Sequence, residues 1–367
     1  MHPLATHFDN ADTIAAEIAD RAPDDTNHTA STRALIDAHH PTRLHLMVSE
    51  IYRETASTKT FRLRRPKGGT LPPFMAGQYV TVYIGGTTRA YAISSSPAET
   101  DHWDLTVRSV PGGRISNLLL DRVSTNDEMV VSGPHGTFHH NPLFHGSDTI
   151  FIAGGSGVAP AMSMIRDIVT GGLDRRLHLI YGSSDGSDII FADELAQHAG
   201  THPNITVRHV IGELITAETI TSAVGRLANR MVYVCGPQAL YPHTLGLLDE
   251  LGHPRHRTRF EANGAPQRPE TQSSWPIGAD PAEEVSITVG HYTFRAPTGR
   301  PLLDSLEDHK IQPESYCRSG DCSQCRVKVT KGVAHQADEA KPRLSDAAYG
   351  YVHSCVAYPI TDLTLEF

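Results

Sequence analysis

The 367-residue chain has little of what marks several broad classes of protein. It contains no apolar run of the roughly 18 residues that a membrane-crossing helix needs. Its first residues, Met1 to Asp12, offer neither the basic stretch nor the apolar centre of a secretory leader. No membrane insertion is therefore expected, and the cytoplasm is the expected compartment. Positive charge is in deficit, with 32 Lys and Arg against 41 Asp and Glu and a formal net charge of −9. That balance excludes the basic surface on which nucleic-acid binding depends. Cysteine is sparse: there are five, an odd number, and three of them crowd into Cys317, Cys322 and Cys325. Such crowding excludes a disulfide framework in a reducing compartment and points to metal ligation instead. The 22 histidines are scattered without an HExxH pattern, so surface or satisfied polar roles are expected of them.

What is present divides the chain into stretches of different pattern. Residues 1–42 read as a polar N-terminal extension with two short helical patches, Ile14 to Ala19 and Thr32 to Ala38. Residues 43–146 carry six short alternating runs separated by Gly and Pro, which argue for an antiparallel barrel or sandwich interrupted by one helix, Ile115 to Asp121. Over 147–262 buried apolar strands alternate with helices, the pattern of an α/β doubly wound parallel sheet. A linker over 263–283, containing Pro266, Pro269, Pro276 and Pro281, is expected to hold its neighbours apart as a semi-rigid spacer. Residues 284–367 form a last domain that begins with alternating VSITVGHYTFRAP, passes through a short helix and ends in the strand DLTLEF.

Cys317-x4-Cys322-x2-Cys325, followed after 29 intervening residues by Cys355, is the plant-type ferredoxin spacing for a 2Fe-2S cluster. Three thiolates on one loop can wrap two irons only if the backbone turns sharply, which Gly320 permits. Ser319 and Ser323 leave backbone N–H groups free to reach the sulfurs. A zinc knuckle is the competing reading, but zinc sites pair their cysteines closely and Cys355 has no near partner in sequence. Cys235, far from the others, is not a ligand on this reading.

Three further segments suggest phosphate binding. TIFIAGGSGVAP runs a strand into Gly154, Gly155, Ser156 and Gly157 and then a helix at Pro160, placing unpaired N–H donors near a tight turn. Close packing of the turn is the alternative. Cys235-Gly236-Pro237 ends the fourth strand of the same sheet and should face the same crevice, although Cys235 alone reads as a small buried hydrophobe. In the first domain, Arg89 and Tyr91 lie on a strand ending in Ser94 and Ser95, and Gly113 and Ser116 open a helix about twenty residues later. Together they could clamp a pyrophosphate and offer a flat face to a ring, whereas singly they read as a solvated arginine and a core tyrosine.

Taken in order, these segments resemble the ferredoxin-NADP reductase superfamily, and within it the single-chain oxygenase reductases with a C-terminal plant-type ferredoxin domain. The resemblance covers residues 44–367. It implies a multidomain fold: an antiparallel β-barrel flavin domain, an α/β doubly wound NAD(P)-binding domain and an α+β β-grasp ferredoxin domain. The flavin motif Arg-x-Tyr-Ser/Thr-x-x-Ser falls on Arg89, Tyr91, Ala92, Ile93, Ser94 and Ser95, with Ala92 standing where the family has a hydroxyl. The phosphate motif falls on Gly113 and Ser116, and the preceding Val107 and Arg108 belong to a segment that looks like FAD-binding rather than FMN-binding members. The nucleotide loop falls on Gly154, Gly155, Ser156, Gly157 and Pro160. Cys235, Gly236 and Pro237 fall beside the nicotinamide, and the family glutamate falls on Glu261, followed by Ala262 and Asn263 in place of an aromatic. Ser183 and Asp185 offer no cation for a 2′-phosphate, so NADH is expected over NADPH. The resemblance implies an oxidoreductase that passes electrons from NADH through flavin and cluster to a redox partner such as an oxygenase component. Two alternatives are a subunit of a larger electron-transfer complex, weakly active toward free NADH, and a self-contained flavin reductase.

Overall fold

A computed structural model describes residues 43–367, except Ala228, Asn263 and the side chain of Arg114, together with positions 13, 16 and 32–36. The first helical patch of the extension therefore lies outside the described residues apart from position 16. Positions 32–36 of the second patch are helical. Asn263, in the departure after Glu261, also lies outside them.

The alternating runs of the first domain form β1 (Leu44–Arg53), β2 (Thr58–Arg64), β3 (Tyr79–Ile84), β4 (Thr87–Ala92), β5 (His102–Arg108) and β6 (Glu128–His135). They pair antiparallel in the order β4-β3-β6-β1-β2-β5, and a bridge between Ile93 and Leu105 joins the two edges into a barrel. Alternation places Leu46, Phe61, Leu63, Val80 and Trp103 inside, all essentially inaccessible to water. Burying each such side chain stabilises the fold by about 1.5–3 kcal/mol. Helix α1 (Arg114–Arg122) closes one end with Ile115 and Leu119.

The second domain is a parallel sheet of β7 (Asp148–Gly154), β8 (Arg176–Ser183), β9 (Ile205–Ile211), β10 (Met231–Gly236) and β11 (Thr258–Ala262), in the order β11-β10-β7-β8-β9. Both faces are apolar. Phe151 and Tyr233 pack on one side with α2 (Val158–Gly171) and α3 (Ala192–Thr201); Ile150, Ile152, Val232 and Val234 pack on the other with α4 (Ala217–Val224) and α5 (Leu240–Glu250). Strand order reverses between β7 and β10, so their carboxyl ends open a crevice where ligands bind in such sheets. Edge strand β11 escapes sequence reading because its five residues are all only partly buried.

The last domain is a mixed sheet with strand order β13-β12-β18-β14-β16 and a separate β15-β17 pair. Its strands are β12 (Glu284–Val289), β13 (Tyr292–Pro297), β14 (Arg326–Lys331), β15 (Ala334–Gln336), β16 (Tyr351–His353), β17 (Ala357–Pro359) and β18 (Leu363–Glu366). Helix α6 (Leu302–Asp308) lays Leu302 and Leu306 on the sheet, and α7 (Leu344–Ala348) precedes β16. The proline-rich linker is not a spacer. It straps onto this domain: Trp275 packs edge-on to His335 and Tyr358, and the Tyr358 hydroxyl donates to the Pro266 carbonyl at 2.7 Å. Prolines set its direction, but its buried aromatic and backbone acceptors find partners in the domain that follows, and the three domains touch one another.

Candidate cofactor sites

The four cysteines separated by sequence come together. Cys317, Cys325 and Cys355 are buried, and Cys322 is partly exposed. The Cys317 sulfur accepts N–H groups from Ser319, Asp321 and Cys322, each at 3.4 Å. Positive φ at Arg318, Gly320 and Ser323 curls the loop so that these amides face inward. Only Gly320 has no room for a side chain, since a Cβ there would lie 2.7 Å from Val356. His353, fully buried, bonds the Gly320 carbonyl at 2.9 Å, and Ser354 donates to the Cys325 carbonyl at 2.7 Å. Hydrogen bonds from the Cys322 and Cys355 thiols, aided by backbone amides, hold the Cys317 thiol far below the usual thiol range despite its burial. Among the described residues, no three His, Cys, Asp or Glu side chains converge on one metal-ion position. Sulfurs strung pairwise, with amides directed at them, suit two irons bridged by sulfides better than a single zinc.

Arg89 and Tyr91 lie on β4. The Arg89 guanidinium bonds the Thr88 carbonyl at 2.7 Å, and burial and then the neighbouring Arg318 lower its pKa. The same guanidinium reaches the Thr87 hydroxyl at 3.4 Å, and among the described residues no carboxylate lies within ion-pair distance of it. Tyr91 leans on the barrel core, and burial pushes its phenol up to about 12. Gly113 precedes α1, where a Cβ would lie 2.5 Å from the Ser116 hydroxyl, so the helix start is kept open by the missing side chain. Arg108 reaches across to an ion pair with Asp188 of the second domain, whose other oxygen accepts from Ser57 at 2.7 Å.

Several side chains in this motif are spent elsewhere. Ile93 and Val107 are core residues of the barrel. Ser94 is fully buried, donating to the Asp104 carbonyl at 3.1 Å and meeting the Thr106 hydroxyl at 2.9 Å. The Ser95 hydroxyl accepts the Asp104 amide at 3.2 Å. The side chains of these four positions are held within the barrel. The serine run has another task that sequence reasoning missed: Ser163 and Arg166 of α2 donate to the carbonyls of Ser95 and Ser94, each at 2.8 Å, and Ser96 meets Thr170 at 2.7 Å. The spacing 163, 166, 170 on one helix face was the available signal.

The glycines of the crevice do two jobs. Gly155 has φ +51, which glycine adopts freely, and a Cβ there would lie 2.5 Å from the Arg108 guanidinium. Gly154, Gly157 and Gly236 instead let the two loops touch: a Cβ on Gly157 would collide with the Cys235 carbonyl, and one on Gly154 would lie 2.8 Å from Pro237. Helix α2 starts at Val158, with Pro160 buried in its first turn and Ser156 just before it. Ser183 is buried at the end of β8. Exposed Asp185 accepts the amide and hydroxyl of Ser187 at 2.7 and 2.9 Å, which lowers its pKa and keeps it anionic.

Cys235 on β10 sits in register with Glu261 on β11, at the crevice mouth. Burial, reinforced by the charges of Asp321 and Cys317 from the cluster loop, pushes the Glu261 carboxyl up to about 8. Glu261 therefore stands where barrel, nucleotide crevice and cluster loop meet. Gln238, just after Cys235-Gly236-Pro237, bonds Glu339 of the last domain, and Gln272 of the linker reaches the other Glu339 oxygen at 2.7 Å.

This geometry defines an oxidoreductase with a flavin barrel, a dinucleotide crevice and a 2Fe-2S loop on one chain. Known proteins agree domain by domain: residues 45–140 match the oxidoreductase FAD-binding domain, 151–245 the oxidoreductase NAD-binding domain and 287–359 the 2Fe-2S iron-sulfur cluster binding domain. The chain is 30% identical over 302 residues to NADH oxidoreductase HCR of Escherichia coli, covering 80% of this chain and 89% of that protein. It is 30% identical over 284 residues to phthalate dioxygenase reductase of Burkholderia cepacia, covering 76% and 84%. The ferredoxin reductase component of 3-ketosteroid-9-alpha-monooxygenase of Mycolicibacterium smegmatis is 26% identical over 339 residues, covering 87% and 95%. The solved structure of a phthalate dioxygenase reductase superposes with a TM-score of 0.67 at 26% identity, covering 89% of this chain and 98% of that one. The chain belongs to the ferredoxin-NADP reductase superfamily, in its single-chain type with a C-terminal plant-type ferredoxin domain. Its cofactors are FAD, NADH and a 2Fe-2S cluster. Among the described residues, no helix is long and apolar enough to cross a membrane.

Proposed function

We propose that the chain is an NADH-dependent reductase that serves a separate redox protein, an oxygenase component of the kind its relatives' names specify. The flavin domain spans 43–146, the NADH domain 147–262 and the iron–sulfur domain 284–367, with 263–283 as a strap and 1–42 as an extension. Bound FAD takes an electron pair as hydride and gives electrons up singly, as a one-electron 2Fe-2S cluster requires. Arg89, Gly113, Ser116 and the N-terminal amides of α1 hold the FAD pyrophosphate, with Arg108 beside them, and Tyr91 lies against the ring system. Ala92 lies near the reactive edge, and Ile93, Ser94, Ser95 and Val107 contribute backbone. Gly154, Gly155, Ser156, Gly157 and Pro160 shape the loop for the NADH pyrophosphate at the start of α2. Ser183 and Asp185 meet the adenosine ribose, and the Asp185 carboxylate disfavours the 2′-phosphate of NADPH. Cys235, Gly236, Pro237 and a protonated Glu261 border the nicotinamide. Cys317, Cys322, Cys325 and Cys355 ligate the cluster, and a reducing cytoplasm suits those thiols.

The observation that carries this reading is the placement of the cluster loop directly on the strand that bears Arg89 and Tyr91. Its test is NADH-driven reduction of an artificial one-electron acceptor by the purified chain, with FAD and two irons per chain measured alongside. A protein with both cofactors that oxidises NADH without reducing the acceptor would overturn it.

A further inference from the structure

The contact between cluster loop and barrel converges on one side chain. Arg318 follows Cys317 directly, holds φ +55 and is only 6% exposed. Its Nε donates to the Thr88 hydroxyl at 2.9 Å and its Nη2 to the Thr87 hydroxyl at 2.7 Å, both on β4. On its own domain it pairs with Asp304 at 3.1 Å and with Glu307. Both hydroxyls also donate onward, Thr87 to Glu307 at 2.9 Å and Thr88 to the Ser315 carbonyl at 3.2 Å. Thr81 on β3 donates to the Tyr316 carbonyl at 3.2 Å. Residues 315, 316 and 318, which flank the first cysteine, are thus tied to β4, the strand that bears Arg89 and Tyr91, and to its neighbour β3. A guanidinium this buried is costly to leave without partners, so undocking the cluster loop is opposed wherever Thr87 and Thr88 keep their hydroxyls.

Resting on the assignment of Cys317 as a cluster ligand and β4 as the flavin strand, we propose that Arg318, with Thr87 and Thr88, is a positioning latch for flavin-to-cluster electron transfer and takes no part in hydride transfer. NADH supplies an electron pair, and the cluster accepts one electron at a time, leaving the second for the next cycle of cluster oxidation by the acceptor. Transfer between two centres falls off steeply with their separation, so the latch acts by keeping the docked geometry populated. Hydride arrival depends on the crevice loops of the second domain, whereas the latch ties the cluster loop to β4.

The test mixes the complete holoprotein with NADH anaerobically by stopped flow and resolves flavin bleaching from cluster reduction. Thr87→Val with Thr88→Val removes both hydroxyls at nearly constant volume without touching the cluster loop; Arg318→Ala removes the guanidinium. The expected result is a flavin phase within about twofold of wild type and a cluster phase slowed about tenfold or more, since charge-assisted bonds of this kind weight a two-state equilibrium by such factors. Amide hydrogen exchange over 84–92 and 312–320 should rise in the same variants, and Thr87→Ser with Thr88→Ser should restore both readouts. Unchanged cluster reduction in the double valine variant with full iron content would overturn the proposal, as would equal slowing of both phases. If Arg318→Ala loses iron, the threonine pair, which leaves the cysteine loop unaltered, decides. Wild-type protein lacking flavin or iron would instead overturn the cofactor assignment itself.

Discussion

The cysteine loop and the paired glycine loops are both tight turns at the proposed cofactor sites, yet they differ in where their chemistry resides. In the cysteine loop it lies in four thiols, and three backbone amides converge on the Cys317 sulfur alone. In the crevice it lies in what is missing, because Gly154, Gly157 and Gly236 exist so that two loops can touch. Side-chain chemistry announces its ligand; absent side chains announce only closeness.

The comparison is broken most severely at the thiols. Cys322→Ser removes the most exposed of the four proposed ligand residues, and reduction of a one-electron acceptor should fall by at least about a hundredfold through loss of the cluster. Flavin reduction by NADH should stay close to wild type. Iron and acid-labile sulfide assays with stopped-flow absorbance check both halves, and preserved acceptor reduction would contradict the ligand assignment. In the crevice, Gly157→Ala drives a Cβ into the Cys235 carbonyl. Overpacking of this kind costs about 1–3 kcal/mol, and the displaced loops should raise KM for NADH while iron and flavin content hold. A KM equal to wild type would mean that the loops separate without consequence.

Between these extremes lies Arg89, whose half-buried guanidinium has no carboxylate partner among the described residues. Arg89→Ala should weaken FAD by about 1.5–3 kcal/mol, the usual worth of a hydrogen bond to a charged group, read as flavin lost on dilution and gel filtration. Asp185→Ser combined with Ser184→Arg should move the ratio of kcat/KM values toward NADPH, since it replaces an exposed carboxylate with a cation that pairs with a phosphate. Equal ratios before and after would remove Asp185 from the specificity argument.

The difference between the two regions also explains what could be read before the fold was known. The cysteine spacing, the alternating strands of the barrel and the strand–helix alternation of the crevice are local patterns, and each survives folding as written. The serine run after Tyr91 does not. Ser94 and Ser95 turn inward to Asp104 and Thr106, and their carbonyls receive Ser163 and Arg166 from another domain, contacts that no local pattern encodes. The linker misled for the same reason: proline content sets stiffness, but Trp275 and the Pro266 carbonyl find partners about 60 to 90 residues later. Arg318 was hidden in plain view, a long cation inside a loop otherwise built of small residues.

The smallest expected effect concerns Ala92, where the family has a hydroxyl. Ala92 ends β4 opposite Tyr79 and remains partly exposed, so a serine there meets no packed core. Ser94, the nearest hydroxyl that could replace the missing one, is fully buried and already engaged by the Asp104 carbonyl and Thr106. Ser94 is therefore not free to serve the flavin's reactive edge. A neutral hydrogen bond is worth about 0.5–1.5 kcal/mol net, or roughly two- to tenfold in rate when it strengthens in the transition state. Ala92→Ser should therefore speed flavin reduction at saturating NADH by that factor, with KM for NADH unchanged because Ala92 lies on the barrel and the proposed nucleotide loops belong to the second domain. Stopped-flow rates that stay equal or fall would mean that backbone or water already fills the role, and that β4 differs from the cysteine loop in tolerating the loss of a side chain its chemistry was expected to need.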